Sequence, residues 1–128
     1  MLPVKGIYEV AIRVGNLKKA EKFYRETMGF TVGIRDENRK WLFLRTGGAG
    51  MIVLQEDKSL FLKQHFAFTV CESDFEQCVE ILKTKGVKVS EPQFHEWMPA
   101  VSVYFSDPDG HDLELCAPIE NKGEKNEL

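Results

Sequence analysis

At 128 residues the chain is long enough to build one core without disulfide or metal staples. Its 43% apolar and 29% charged content is that of an ordinary globular protein, and a net charge of −3 with interspersed signs offers no basic face for nucleic acid. No apolar run reaches membrane-spanning length, no signal-peptide layout opens the chain, and three cysteines without metal-site spacing fit a reducing compartment. The expectation is a cytoplasmic protein that contacts neither membrane nor nucleic acid.

Residues 7–14 alternate as a strand, with Val10, Ile12 and Val14 on one face and Glu9, Ala11 and Arg13 on the other. Gly15-Asn16 turns the chain, and Asn16 is placed to N-cap a helix over 17–28. Its apolar stripe is Leu17, Ala20, Phe23, Tyr24 and Met28, and Gly29 stands where a left-handed C-cap falls. Strands are expected at 30–36, 40–46 and 51–56, separated by a turn at Asn38-Arg39 and by Gly47-Gly48-Ala49-Gly50. Residues 57–64, containing Leu60, Phe61 and Leu62, read as a partly packed linker.

The pattern then restarts. Residues 65–70 form a strand with Phe66, Phe68 and Val70 on one face. Ser73 and Glu76 have the spacing of a capping box, opening a helix with Phe75, Cys78, Val79 and Leu82 as its stripe and Gly86 at its end. Residues 87–89 begin the next strand, and a long connection carries His95 and Trp97 into a strand over 100–106. Asp107-Pro108-Asp109-Gly110 is strong turn chemistry, so the last strand, 111–116, closes a hairpin. The charged stretch 120–128 reads as a disordered tail.

A strand–helix–three-strand unit is thus written twice, with residues 8–14 matching 64–70 at a spacing of 56. Each unit covers one sheet face with its helix and leaves the other bare. If Leu113 and Leu115 point into the core, Asp112, Glu114 and Cys116 point to the open face. The same alternation sends Glu9 and His65 to that side, and Met51, Val53 and Gln55 with them. A histidine and two carboxylates converging from three strands of a concave sheet suit a divalent ion such as Fe²⁺, Mn²⁺, Ni²⁺ or Zn²⁺, with open positions for substrate. Ser102 and Tyr104 alternate with core residues and line the cleft; His95 and Trp97 lie on a connection suited to binding, and Arg13 is placed to meet an anionic substrate.

The residues Val10-Ala11-Ile12-Arg13-Val14, Asn16-Leu17, Phe23 to Phe30, His65 to Val70 and Ser102 to Leu115 together resemble the vicinal oxygen chelate superfamily. That superfamily includes glyoxalase I, extradiol dioxygenases, fosfomycin-inactivating thiol transferases and metal-free bleomycin-binding proteins. The resemblance implies an α+β fold of two βαβββ modules with concave mixed sheets, about 5–56 and 65–117, within one domain over 1–119. It places His65 and Glu114 on family metal-ligand positions, and puts Glu9 where the family has His or Gln. The fourth glyoxalase ligand falls by register on Val53, with Gln55 the nearest polar residue. The implied activity is that of a glyoxalase-type lyase or isomerase binding a divalent metal, with Glu114 or Glu9 as general base acting on a small-molecule substrate. A metal-free protein that binds an aromatic or cationic small molecule is the alternative, and an extradiol dioxygenase a weaker one. A homodimer is also implied.

Overall fold

The computed structural model describes residues 1–59 and 61–120. Leu60 of the linker and residues 121–128 of the expected tail lie outside the described residues. The chain divides between Gln64 and His65 into two compact units.

The first unit runs β1 (Glu9–Val14), α1 (Leu17–Lys22), a π-helical turn (Phe23–Thr27), β2 (Thr31–Asp36), β3 (Trp41–Arg45) and β4 (Met51–Glu56). Its sheet has the order β1-β4-β3-β2, with β1 parallel to β4 and the other pairs antiparallel. The Asn16 carboxamide accepts from the Lys19 N–H at 3.0 Å, as the N-cap reading requires. Another free amide at this helix start, Leu17 N–H, donates to Glu56 Oε2 at 2.9 Å, which ties the end of β4 to the helix. α1 packs on β3 and β4. Ile12, Val14, Ala20, Tyr24, Leu42 and Leu54 are buried, whereas Val10, expected on the same face, is 38% exposed.

The expected uniform α-helix over 17–28 widens at Phe23 into a π-helical turn. From there Met28 N–H reaches back five residues to the Phe23 carbonyl, at 3.2 Å. Tyr24 is fully buried, with Phe23 edge-on and Phe30 stacked against it. The wider turn accommodates these three rings at one helix end.

The second unit runs β5 (His65–Thr69), a 3₁₀ turn (Glu72–Asp74), α2 (Phe75–Thr84), β6 (Gln93–His95), β7 (Ala100–Ser106) and β8 (Asp112–Pro118). Its order, β5-β8-β7-β6, repeats that of the first sheet strand for strand. Phe75, Val79 and Leu82 are buried on one side of α2, and Cys78 is half-buried. Burial raises the Cys78 thiol pKa, with Asp74 adding to the effect, as befits a small apolar filler.

Two expectations are corrected in this unit. Ser73 and Glu76 do not form a capping box: a 3₁₀ turn occupies Glu72–Asp74 and the helix starts at Phe75, with no side chain capping it. The strand expected at 87–89 is absent because the Val87 N–H is used by the helix end, donating to the Leu82 carbonyl at 3.0 Å. The edge strand forms later, at Gln93–His95, so His95 belongs to the sheet and not to a loop.

The Asp-Pro-Asp-Gly turn joins β7 to β8 as expected. Asp107 is buried, and its Oδ1 accepts from the N–H groups of Asp109 and His111, both at 2.9 Å. Gly110 takes the positive φ, 85°, that the turn needs. This turn fixes the β7–β8 register, pairing Tyr104 with Glu114 and Ser102 with Cys116.

Glu21 gives a test of how α1 is tied to the first sheet. Arg35 on β2 binds it through two nitrogens, at 2.7 and 2.9 Å, and Arg25 adds a third contact at 2.9 Å. The Arg35 hydrogen bonds, then Arg25, lower the Glu21 pKa from 4.5 to about 2. A depressed carboxylate contributes stability above its unfolded pKa and loses it as pH falls through the folded one. Glu21→Gln is therefore expected to destabilise the protein in urea at pH 7, and the gap to wild type to close between pH 4.5 and about 2. An unchanged gap at both ends of that range would contradict it.

Candidate functional site

The second unit's sheet brings two of the expected ligands together. His65 is the first residue of β5 and Glu114 the third of β8, and both strands run parallel with His65 opposite Asp112 and Ala67 opposite Glu114. Alternation puts His65, Ala67 and Glu114 on one face. Ala67, directly beside Glu114, carries only a methyl group, which leaves the imidazole room to lean across. His65 Nε2 stands 3.1 Å from Glu114 Oε1.

Both groups are held from behind. His65 Nδ1 lies 3.1 Å from the Asp112 backbone oxygen. A carbonyl can only accept, so Nδ1 is the donor in this contact and Nε2 is the ring nitrogen that faces Glu114. Ser102 is fully buried and donates its hydroxyl to Glu114 Oε2 at 2.6 Å. Glu114 itself is 7% exposed. Nε2 and Oε1 thus face each other at contact distance, and a proton or a cation fits between them.

Tyr104 completes the face. It pairs with Glu114 across β7–β8, is half-buried, and its hydroxyl lies 2.9 Å from His95 Nε2. Desolvation, then the Glu114 charge, raises the Tyr104 phenol pKa, with Ser102 opposing. The phenol therefore stays neutral and able to donate. Ser90 anchors the strand here: its N–H donates to the Tyr104 carbonyl and its hydroxyl accepts from the Tyr104 N–H, both at 2.9 Å.

The remaining candidates stand elsewhere. Glu9, exposed, begins β1 in the first unit's sheet, so the three expected ligands do not share one sheet. Each first strand pairs with the last strand of its own unit. Among the described residues no three His, Cys, Asp or Glu side chains cluster as a ligand set. Glu9 pairs with Met51 as His65 pairs with Asp112, so Val53 occupies the position of Glu114 in the first sheet. There it is fully buried beside Phe43 and Ala11. Gln55, half-buried, lies between Arg13 and Trp41, and Arg13 binds Asp57 at 2.9 Å. Trp97 follows β6 and is 82% exposed. The hold of Ser102 on Glu114 and that of Asp112 on His65 were missed by sequence reasoning. The hairpin register was the available signal for the first; the second involves a backbone atom and left none.

The sequence matches the Glyoxalase/Bleomycin resistance protein/Dioxygenase superfamily over residues 6–115. Metallothiol transferase FosB of Staphylococcus haemolyticus is 31% identical over 118 residues, 88% of this chain and 83% of that protein. Glutathione transferase FosA of Serratia marcescens is 30% identical over 119 residues, 88% and 80% of the two chains. Among solved structures, an integron cassette protein from the mobile metagenome of the Halifax Harbour sewage outfall superposes with a TM-score of 0.85 at 50% identity, covering 89% of this chain and 99% of that one.

Ser102→Ala would leave Glu114 Oε2 buried without its donor. The expected cost is about 1–3 kcal/mol of unfolding free energy in urea, the penalty of an unsatisfied buried acceptor. A variant as stable as wild type would show that Ser102 does not hold the carboxylate.

Proposed function

The chain belongs to the Glyoxalase/Bleomycin resistance protein/Dioxygenase superfamily, and from that premise we propose that it is a metal-dependent enzyme acting on a small oxygen-bearing substrate. The reaction class we favour within it is transfer of a low-molecular-weight thiol to the substrate. The single observation that carries the metal reading is the facing of His65 Nε2 and Glu114 Oε1 at 3.1 Å, each held on its far side by a second hydrogen bond. Imidazole with carboxylate suits borderline divalent ions, and the backbone carbonyl behind His65 and the hydroxyl behind Glu114 are the kind of outer partners that fix such ligands.

His65 and Glu114 would hold the ion. When bound, it supplies Lewis-acid polarisation of a substrate oxygen. Ser102 keeps Glu114 in one orientation, and the Asp112 carbonyl keeps His65 in the ligating tautomer. Both Glu114 oxygens are engaged, which favours holding over proton abstraction for this residue. The neutral Tyr104 phenol is the donor beside them, suited to hydrogen-bonding a substrate oxygen as charge develops on it. Glu9, Gln55, Arg13 and Trp97 have no role in this proposal.

Thiol transfer is favoured over glyoxalase-type isomerisation for two reasons. FosB of Staphylococcus haemolyticus and FosA of Serratia marcescens, at 31% and 30% identity, are by name a metallothiol transferase and a glutathione transferase. The apolar Val53 stands in the first sheet where the second has Glu114. A homodimer remains part of the proposal, and light scattering at assay concentration checks it.

The test is metal binding followed by turnover. With Mn²⁺ at about a hundred times its dissociation constant, mass action adds roughly 2.7 kcal/mol of stability, which a melting curve detects. His65→Ala and Glu114→Ala should each abolish that gain. Fosfomycin with glutathione or cysteine should then be consumed faster than the glutathione–methylglyoxal adduct. Isomerisation of the adduct alone would overturn the transferase assignment, and the absence of any metal-induced stabilisation would overturn the enzyme and leave a binding protein.

A further inference from the structure

The β6–β7 register holds a detail that the metal reading does not use. Gln93 pairs with Ser102 and His95 with Ala100, so Gln93, His95, Ala100, Ser102 and Tyr104 share one face. Tyr104 is four residues further along β7 than the partner of His95, roughly 13 Å at strand spacing. A tyrosine standing upright there could not reach His95. Yet its hydroxyl lies 2.9 Å from His95 Nε2. The side chain must therefore lie down along its own strand, across Ser102, towards the Ala100 end.

Independent observations agree with that posture. Ser102 is fully buried although it points to the face opposite the core residues Val103 and Phe105. The His95 ring meets Tyr104 edge-on at 6.4 Å, and His65 flanks it from the other side at 6.5 Å.

We propose that His95 is a positioning residue: it holds the Tyr104 phenol down over the Ser102–Glu114 pair, fixing where that phenol meets the substrate. Tyr104 otherwise has free rotation about its side-chain bonds, and an upright rotamer would carry the hydroxyl away from Glu114. A fixed donor loses no orientational freedom when the substrate arrives. What Tyr104 does for the substrate rests on the proposed enzyme; where it lies does not.

The test separates the two. Full-length protein is labelled with ¹³Cζ-tyrosine, and among its three tyrosines the Tyr104 resonance is the one lost in Tyr104→Phe. His95→Ala should shift that resonance and leave Tyr8 and Tyr24 in place, while His95→Gln, whose amide reaches a similar point, should restore most of the shift. Amide spectra confirm that each variant is folded. In turnover of fosfomycin and glutathione with Mn²⁺, His95→Ala and Tyr104→Phe should each lower kcat/KM about five- to tenfold, the scale of one hydrogen bond, and the double variant should lose no more than either alone. An unmoved Tyr104 resonance in folded His95→Ala overturns the proposal, as do losses that multiply in the double variant. If wild type turns nothing over, the enzymatic reading fails, and the resonance alone decides the placement.

Discussion

The parallel pairing of β5 with β8 places a histidine from one strand diagonally beside a glutamate from the other, and most of what is distinctive in the second unit serves that contact. The short turn at Asp107–Gly110 locks β7 onto β8 in the register that brings Ser102 within reach of Glu114. Ala67 leaves the gap between them open. The backbone of Asp112 fixes the ring of His65. An uncompensated carboxylate at 7% exposure would be costly, and each neighbour removes part of that cost or directs one lone pair outward.

The two units show how one strand order places a polar cluster on one sheet and apolar packing on the other. Strand order repeats, and the register of β5, β8 and β7 repeats that of β1, β4 and β3, so the residues around Glu114 have counterparts in the first sheet. The row Ala67–Glu114–Tyr104 corresponds to Ala11–Val53–Phe43. Replacing carboxylate and phenol by valine and phenylalanine keeps the shape and removes the polar function. Val53 is fully buried, and no donor is asked to serve it. This contrast is why membership of the superfamily leaves the reaction to be argued from the site.

Much of this was legible in the sequence because alternation and turn chemistry are local. The strand over Ala100–Ser106, the turn after it and the outward direction of Glu114 follow from a few side chains. So does the Asn16 cap. The failures have a common physical cause. Val87 to Val89 read as a strand, but the helix end claims the Val87 donor, and which carbonyl wins an N–H is settled by three-dimensional proximity. The capping-box spacing at Ser73 and Glu76 lost to a 3₁₀ turn that delays the helix until Phe75. Glu9 was read onto the same sheet as His65 and Glu114 because facing can be read from periodicity, whereas the sheet a strand joins cannot. His95 was placed on a loop for the same reason, and with it the hold on Tyr104 went unseen.

The account turns on the state of the His65 ring. Its most direct test is ¹⁵N NMR of the imidazoles in the full-length protein, titrated with Zn²⁺ as a diamagnetic probe. The account predicts a proton on His65 Nδ1, with the Nε2 resonance moving on metal addition, and no such response in Glu114→Gln. A proton found on Nε2 of neutral His65, or an Nε2 resonance that ignores Zn²⁺ at saturating concentration, would contradict it.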